Sequence, residues 1–208
     1  MTLNHLLSAL AIALTFIAFI PYIRAILAGA TRPHLFSWVI WGSTTFVAFL
    51  AQLSDHGGAG AWPIGVSGIL TLIVAGLAFG KRGDRSITGS DWGFFVAAMS
   101  ALPLWYLTRD PLWAVVVLTT VDLLGFGPTL RKGYRHPFEE SPLFFAMFGV
   151  RNLLAVAALE HYSLTTALFP AALGLACFLG MGMIVWRRSR MAPSTQRGIP
   201  KNRQEGGF

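Results

Sequence analysis

Seven predominantly apolar stretches, at about 6–27, 35–53, 62–79, 92–107, 112–129, 143–159 and 164–186, occupy most of this chain. Each approaches the roughly 20 residues that a helix rising 1.5 Å per residue needs to cross a hydrocarbon core, the fourth and sixth being the shortest. The runs are continuous rather than alternating. That pattern predicts helices, which satisfy their own backbone hydrogen bonds in lipid, rather than barrel strands. With 54% hydrophobic and 12% charged residues, a chain of 208 residues has too little polar surface to cover a soluble domain. The expected class is therefore an all-α membrane protein with seven transmembrane helices.

The net charge of +7 would fit a nucleic-acid partner only if the cations were gathered on one soluble surface, and they are distributed by loop instead. Arg24 and Arg32 follow the first span; Lys81, Arg82 and Arg85 the third; Arg131, Lys132 and Arg135 the fifth; Arg187, Arg188, Arg190, Arg197, Lys201 and Arg203 the seventh. The alternate loops, around Asp55, Arg109 and Glu160, hold only Arg109. By the positive-inside rule the basic side is cytoplasmic, which places the N-terminus outside and the C-terminus in the cytoplasm of a multi-pass plasma (inner) membrane protein. The alternation requires an odd number of spans. No cation precedes the first span, so it is expected to be a retained helix and not a cleaved signal. Trp62, Trp105 and Trp113 near one set of span ends, and Trp38, Trp92 and Trp186 near the other, suit aromatic belts. Cys177, the sole cysteine, has no partner in the chain and is expected to be buried.

An approximate repeat at an offset of 107 residues relates Pro21 to Pro128, Arg24 to Arg131 and Pro63 to Pro170, with Phe19/Phe126, Ala48/Ala155 and Ala51/Ala158 in the same ungapped register. Spans one and five run in the same direction in the charge-derived topology. Two parallel three-helix repeats then need one extra helix between them, a 3+1+3 plan. Its expected parts are a first repeat at 1–80, a cytoplasmic connector and linker helix at 81–108, a second repeat at 109–186 and a disordered basic tail at 187–208.

The first copy reads PYIRAILAGATRPHLFSWVIW, with a proline late in one helix, a short basic loop, then a helix opening with Ser37, Trp38 and Trp41. The second reads PTLRKGYRHPFEESPLFFAMFGVRN and keeps the proline and the basic loop. In this pattern and in its whole membrane plan the chain resembles the PQ-loop superfamily, which includes the SWEET sugar transporters and lysosomal amino-acid exporters. The glutamine of the proline–glutamine pair is Tyr22 in the first copy and Thr129 in the second. The resemblance implies two three-helix bundles rocking about proline-containing helices around a central substrate path.

Proline inside a helix removes one backbone hydrogen bond and bends it. Pro21 and Pro128, late in their spans, are the hinge candidates; Pro63 and Pro170 are expected to open helices, and Pro103 to help end the fourth. The sharpest chemical signal is a pair of ionisable residues inside the spans, Asp122 about 15 Å and Arg151 about 12 Å along their helices from opposite faces. A charge at mid-membrane costs about 2.5 to 3.5 kcal/mol on the lenient insertion scale, so each is expected to face the interior and to pair with the other. The repeat sets Thr15 against Asp122 and Thr44 against Arg151. Asp122 is read as a site for a proton or a cationic group that exchanges with Arg151; the alternative is a permanent ion pair fixing two adjacent helices. Asn152 is a hydrogen-bonding candidate and Trp41 a ring for stacking. Thr44, Thr45, Ser37 and Ser67 are polar lining candidates.

No lysine lies within a span, which excludes a retinal-type photoreceptor. His5, His34, His56, His136 and His161 lack metal-binding spacing, and no phosphate-cradling glycine loop or cluster of acids is present, so neither an enzyme, a metal nor a cofactor is expected. The expected partners are a small-molecule solute and the lipid bilayer, with a homo-oligomer left open and nucleic acid excluded. The functional expectation is a transporter of a small polar solute such as a sugar or amino acid, working by alternating access with proton coupling as an option. The alternative is a non-transporting sensor or receptor built on the same plan.

Overall fold

The computed structural model describes residues 2–29, 33, 35–82, 89–135, 137–138 and 141–191. Among them every regular element is helical: α1 (Leu3–Leu27), α2 (Leu35–Ser54), α3 (Trp62–Leu77), α4 (Gly89–Thr108), α5 (Pro111–Arg135), α6 (Pro142–Ala157) and α7 (Leu164–Met191), with a 3₁₀ turn at Gly58–Ala61 before α3 and a π-helical turn at Ala78–Arg82 after it. The chemistry at the helix starts explains where they begin. Thr2 accepts from the backbone N–H of His5, Asp110 from that of Leu112 and Ser141 from that of Phe144, while Pro63, Pro111 and Pro142 occupy first-turn positions where the missing N–H costs nothing.

Four segments, Leu3–Leu27, Leu35–Ser54, Gly58–Gly80 and Leu164–Met191, are long and apolar enough to cross a membrane. The solvent-facing surface is apolar as well: Leu3, Ile17, Ile69, Val96, Leu107, Leu124, Leu153, Leu164 and Leu179 are all exposed. The interior, by contrast, holds Thr15, Thr44, Gln52, Ser67, Thr71, Asp122, Arg151, Asn152 and Thr166. An apolar exterior around a polar seam is the arrangement of an integral membrane protein, in which lipid covers the outside and polar groups are satisfied within.

The packing follows from small residues. Ala48, Ala51, Ala61, Ala101, Ala114 and Ala155 are fully buried and let helices approach closely around Ile64, Val115 and Leu118. Helix α3 packs on both α1 and α2, and α7 packs on both α5 and α6. Across the middle, α1 packs on α6 and α2 on α5; α4 lies against α5 and, less extensively, α2. Asn4 donates to the carbonyl of Leu159, and Thr44 and Trp41 meet Asp122 and Gly125, so both of the central pairs are antiparallel. The start of α1, the end of α2, the start of α5 and the α6–α7 connection therefore share one face, called here the amino-terminal face. Arg24, Arg135, Arg187, Arg188 and Arg190 gather at the opposite, basic face.

Several expectations need correction. Pro170 lies inside α7, six residues beyond its first, and α4 continues five residues past Pro103, so neither proline marks a helix end. Pro21 lies inside α1 as expected, and α5 runs through position 128, whose side chain lies outside the described residues. Trp38 is half-buried, stacks on Tyr22 with ring centroids 5.0 Å apart and meets Phe19 edge-on. Arg187, Arg188 and Arg190 belong to α7 rather than to a tail: Arg187 and Arg188 donate to the carbonyls of Tyr134 and Pro137, and Arg190 lies over the Trp186 ring. Residues 192–208, His34 and His136 lie outside the described set. Cys177 is buried.

At Gly60 the 3₁₀ turn meets the end of α6 so closely that a Cβ would lie 2.6 Å from the Ala155 carbonyl oxygen and 2.6 Å from the Leu159 nitrogen. Both obstacles are backbone and cannot rotate away. Gly60→Ala is expected to lower stability by about 1–3 kcal/mol, as overpacking does. Thermal unfolding in detergent checks this against Gly76→Ala, where a Cβ meets nothing within 4 Å.

Candidate functional site

The polar seam lies where the α1–α3 group meets the α5–α7 group. On α2, Thr44 is fully buried and its hydroxyl donates to Asp122 Oδ1 of α5 at 2.9 Å. The same hydroxyl is 3.0 Å from the carbonyl oxygen of Trp41, one turn back on its own helix. A hydroxyl has one hydrogen and can serve one of these acceptors at a time. With Asp122 ionised, the hydrogen goes to the carboxylate. With Asp122 protonated, the carboxyl can donate to Thr44 Oγ1, and the Thr44 hydrogen turns to the Trp41 carbonyl. The seam thus accommodates either protonation state by redirecting one hydroxyl. One turn towards the basic face, the indole of half-buried Trp41 lies against Gly125, where a Cβ would come within 3.3 Å of Trp41 Nε1.

The other central crossing carries the opposite charge. Arg151 of α6 is buried; Nη1 donates to Asn152 Oδ1 at 3.1 Å and Nη2 to Ser67 Oγ of α3 at 3.0 Å, while its guanidinium lies over the Phe148 ring, 5.3 Å from the centroid. Among the described residues its Nε–H has no partner. Asn152 Nδ2 donates back to the Phe148 carbonyl, which fixes the amide and presents its oxygen to Arg151. Thr15, the repeat counterpart of Asp122, bonds within its own helix to the Ala11 carbonyl.

Asp122 and Arg151 therefore do not pair with each other, contrary to the sequence expectation of a mutual ion pair between neighbouring helices. Helices α5 and α6 are each packed on α7 and hardly on each other. Each charge is instead met by a hydroxyl from the α1–α3 group. Thr44 is brought to Asp122, Asn152 and Ser67 to Arg151, and Trp41 to the edge of the α2–α5 crossing. Thr45 is buried on α2, and Ser37 lies half-buried near the start of that helix.

Sequence reasoning missed the contacts that close the amino-terminal face. Gln52 Nε2 donates to the Thr166 carbonyl at 2.6 Å, Ser163 donates to Asp55, Glu160 Oε1 accepts from the Ala59 N–H at 3.2 Å, and the Glu160 N–H donates to the Gly57 carbonyl. All of them join the α1–α3 group to the α5–α7 group. A polar residue one position from the end of an apolar run, as Gln52 is, was the signal in the sequence. A shallow depression of about 380 Å³ beside this closure is lined by His5, Ser8, Trp62 and Glu160. Among the described residues no group of histidine, cysteine or acidic side chains is disposed to hold a metal.

Comparisons with family models, with characterised proteins and with solved structures gave no match.

Removing the Thr44 hydroxyl leaves the Asp122 carboxyl buried without its donor. Thr44→Val is expected to cost about 1–3 kcal/mol, whereas Thr44→Ser, which restores the hydroxyl, keeps most of the stability. Melting of the three proteins in one detergent decides the matter; a Thr44→Val protein that melts with the native one would show that Asp122 does not depend on this donor.

Proposed function

We propose that this chain is a transporter of PQ-loop or SWEET-like type that moves a small polar solute by alternating access. Two parallel three-helix repeats, 1–80 and 109–186, enclose the path, and the segment 81–108 supplies the helix that restores orientation between them. The observation that carries this reading is an exchange symmetry in the packing. Substituting α5, α6 and α7 for α1, α2 and α3 converts α1–α3 contact into α5–α7, α2–α3 into α6–α7, α1–α6 into α2–α5, and the lesser α3–α6 contact into α2–α7, all of which occur. The 107-residue register agrees with it. Ala48, Ala51, Ala155 and Ala158 are all fully buried, and Trp41 and Phe148, also 107 apart, lie one turn from Thr44 and Arg151 at the two central crossings.

Two like units meeting along a polar seam are what a rocking carrier requires, since each can open at one face while remaining closed at the other. The hydrogen bonds from Gln52, Asp55, Ala59 and Gly57 to the α6–α7 region support a conformation shut at the amino-terminal face. With the basic face cytoplasmic, that is closure on the outside of a plasma (inner) membrane, with the N-terminus external and the C-terminus internal. Pro21 and Pro128 are the hinge positions in this reading, and Asp122 with Thr44 is the proton-sensitive element. Trp41, Thr45 and Asn152 lie along the path.

Uptake into sealed proteoliposomes, screened over labelled sugars, amino acids and carboxylates, tests the proposal. A protein that binds a solute yet never concentrates or equilibrates it across the membrane is a receptor. Alternating access also predicts that Asp55→Cys combined with Ser163→Cys, once oxidised, blocks uptake at least tenfold and that a reductant restores it; undiminished uptake with the disulfide formed rejects closure at that face as part of the cycle. For coupling, Asp122→Asn protein that inserts normally is expected to lose the pH dependence of uptake. An unchanged pH profile would remove Asp122 from the coupling step.

A further inference from the structure

We propose that the solute is a small organic carboxylate and that Arg151 is the residue that holds its negative charge, an assignment that rests on the transporter reading above and names its substrate class. The guanidinium is only 6% exposed, and its described partners are all neutral: the Ser67 hydroxyl, the Asn152 amide oxygen and the Phe148 ring. Asp122 is committed to Thr44 across the α2–α5 crossing. Asp55 and Glu160 are engaged in the closure of the amino-terminal face, and Asp110 caps the start of α5. Among the described acids none pairs with Arg151; a buried cation without a counter-charge is costly, and the cost is relieved when an anion arrives.

The geometry says more than the charge does. A guanidinium carries five N–H groups; two meet neutral acceptors here, and Nε–H meets none. Nε and Nη2 lie along one edge of the planar group, the edge on which a carboxylate accepts two parallel hydrogen bonds. Nη1 is turned the other way and anchored by Asn152, whose own amide is tied to the Phe148 carbonyl. That edge, with Nη2 donating to Ser67 and Nε–H without a partner among the described residues, is thus held in a fixed orientation, Ser67 being the one partner contributed by the α1–α3 group. An anion bound there touches both units at once, which is the position from which a solute can bias their rocking. A sugar would offer hydroxyls, which supply no charge to this edge. A cationic solute would be repelled by it.

Thermal unfolding of the purified full chain in a zwitterionic detergent and sulfonate buffer, titrated with lactate, succinate, glucose, choline, chloride and phosphate, tests the assignment, since a ligand of the folded state raises the melting temperature by mass action. At least one carboxylate is expected to give a saturable rise that glucose and choline do not. Arg151→Gln, which can still bond Ser67 or Asn152, should weaken that apparent affinity at least tenfold. Arg151→Lys keeps the charge but loses the fork and should also weaken it tenfold; this variant carries the test if the glutamine protein does not insert. Ser67→Ala should weaken it a few-fold. Stabilisation by glucose or choline alone, by chloride or phosphate alone, by no probe at all, or a carboxylate shift unaltered in both Arg151 variants, overturns the assignment. The two levels separate cleanly: Arg151-dependent carboxylate binding without vesicle uptake leaves the anion site standing and sinks transport, while uptake of neutral solutes alone does the reverse.

Discussion

The contact of α2 with α5 at Thr44 and Asp122 is the constraint around which the rest of the bundle is arranged. A carboxyl group at this depth in an apolar body has to meet a donor, and the donor comes from the other three-helix group. That requirement fixes the rotation of both helices, which in turn sets Trp41 against Gly125 and turns the outer surfaces of α2 and α5 to α3, α4 and α7. The same logic operates at Arg151 and Ser67. Each charge is thus used to hold one group of helices to the other, and the seam between them stays polar while the surface stays apolar.

The positions of the helices were largely legible. Long apolar runs separated by glycine, proline and charge can be little other than helices in lipid, and the seven runs match the seven α-helices to within a few residues at most ends. The larger discrepancies are at the basic face, where α5 extends to Arg135 and α7 to Met191. Hydropathy marks where the hydrocarbon ends, and a helix has no reason to stop there. Cations at a helix C-terminus favour its continuation, and Arg187 gains a ring contact 4.3 Å from the Tyr134 centroid as well as a carbonyl acceptor.

The positions of Asp122 and Arg151 along their helices were legible, but which helices would face each other was not. Counting residues from a span end places Asp122 and Arg151 near the middle of their helices, but a shared depth does not make two helices neighbours. Which helices touch is decided by the small residues along each face, Ala48 and Ala51 on α2 or Ala155 on α6, whose role is visible only once their partners are known. Gln52 shows the same limit. A lone amide near the end of an apolar run reads as a residue at the interface with water, yet it is fully buried because the α6–α7 connection folds over it and offers the Thr166 carbonyl.

The breaks in the repeat carry more meaning than its matches. At one central crossing the pair is Thr44 with Asp122; at the equivalent crossing the positions are Arg151 and Thr15, so the hydroxyl and the charge have changed places between the helices. In the proposed transporter a symmetric pair of units would present a solute with two equivalent walls; here one crossing holds a carboxyl met by a hydroxyl that can turn, and the other a guanidinium whose Nε–H has no partner among the described residues. Among the described residues Asp122 and Arg151 are each met by a hydroxyl rather than by the opposite charge. An ion pair between them would have locked the seam; hydroxyl partners are weaker and able to turn, which in the proposed transporter leaves both groups available to a proton or a solute.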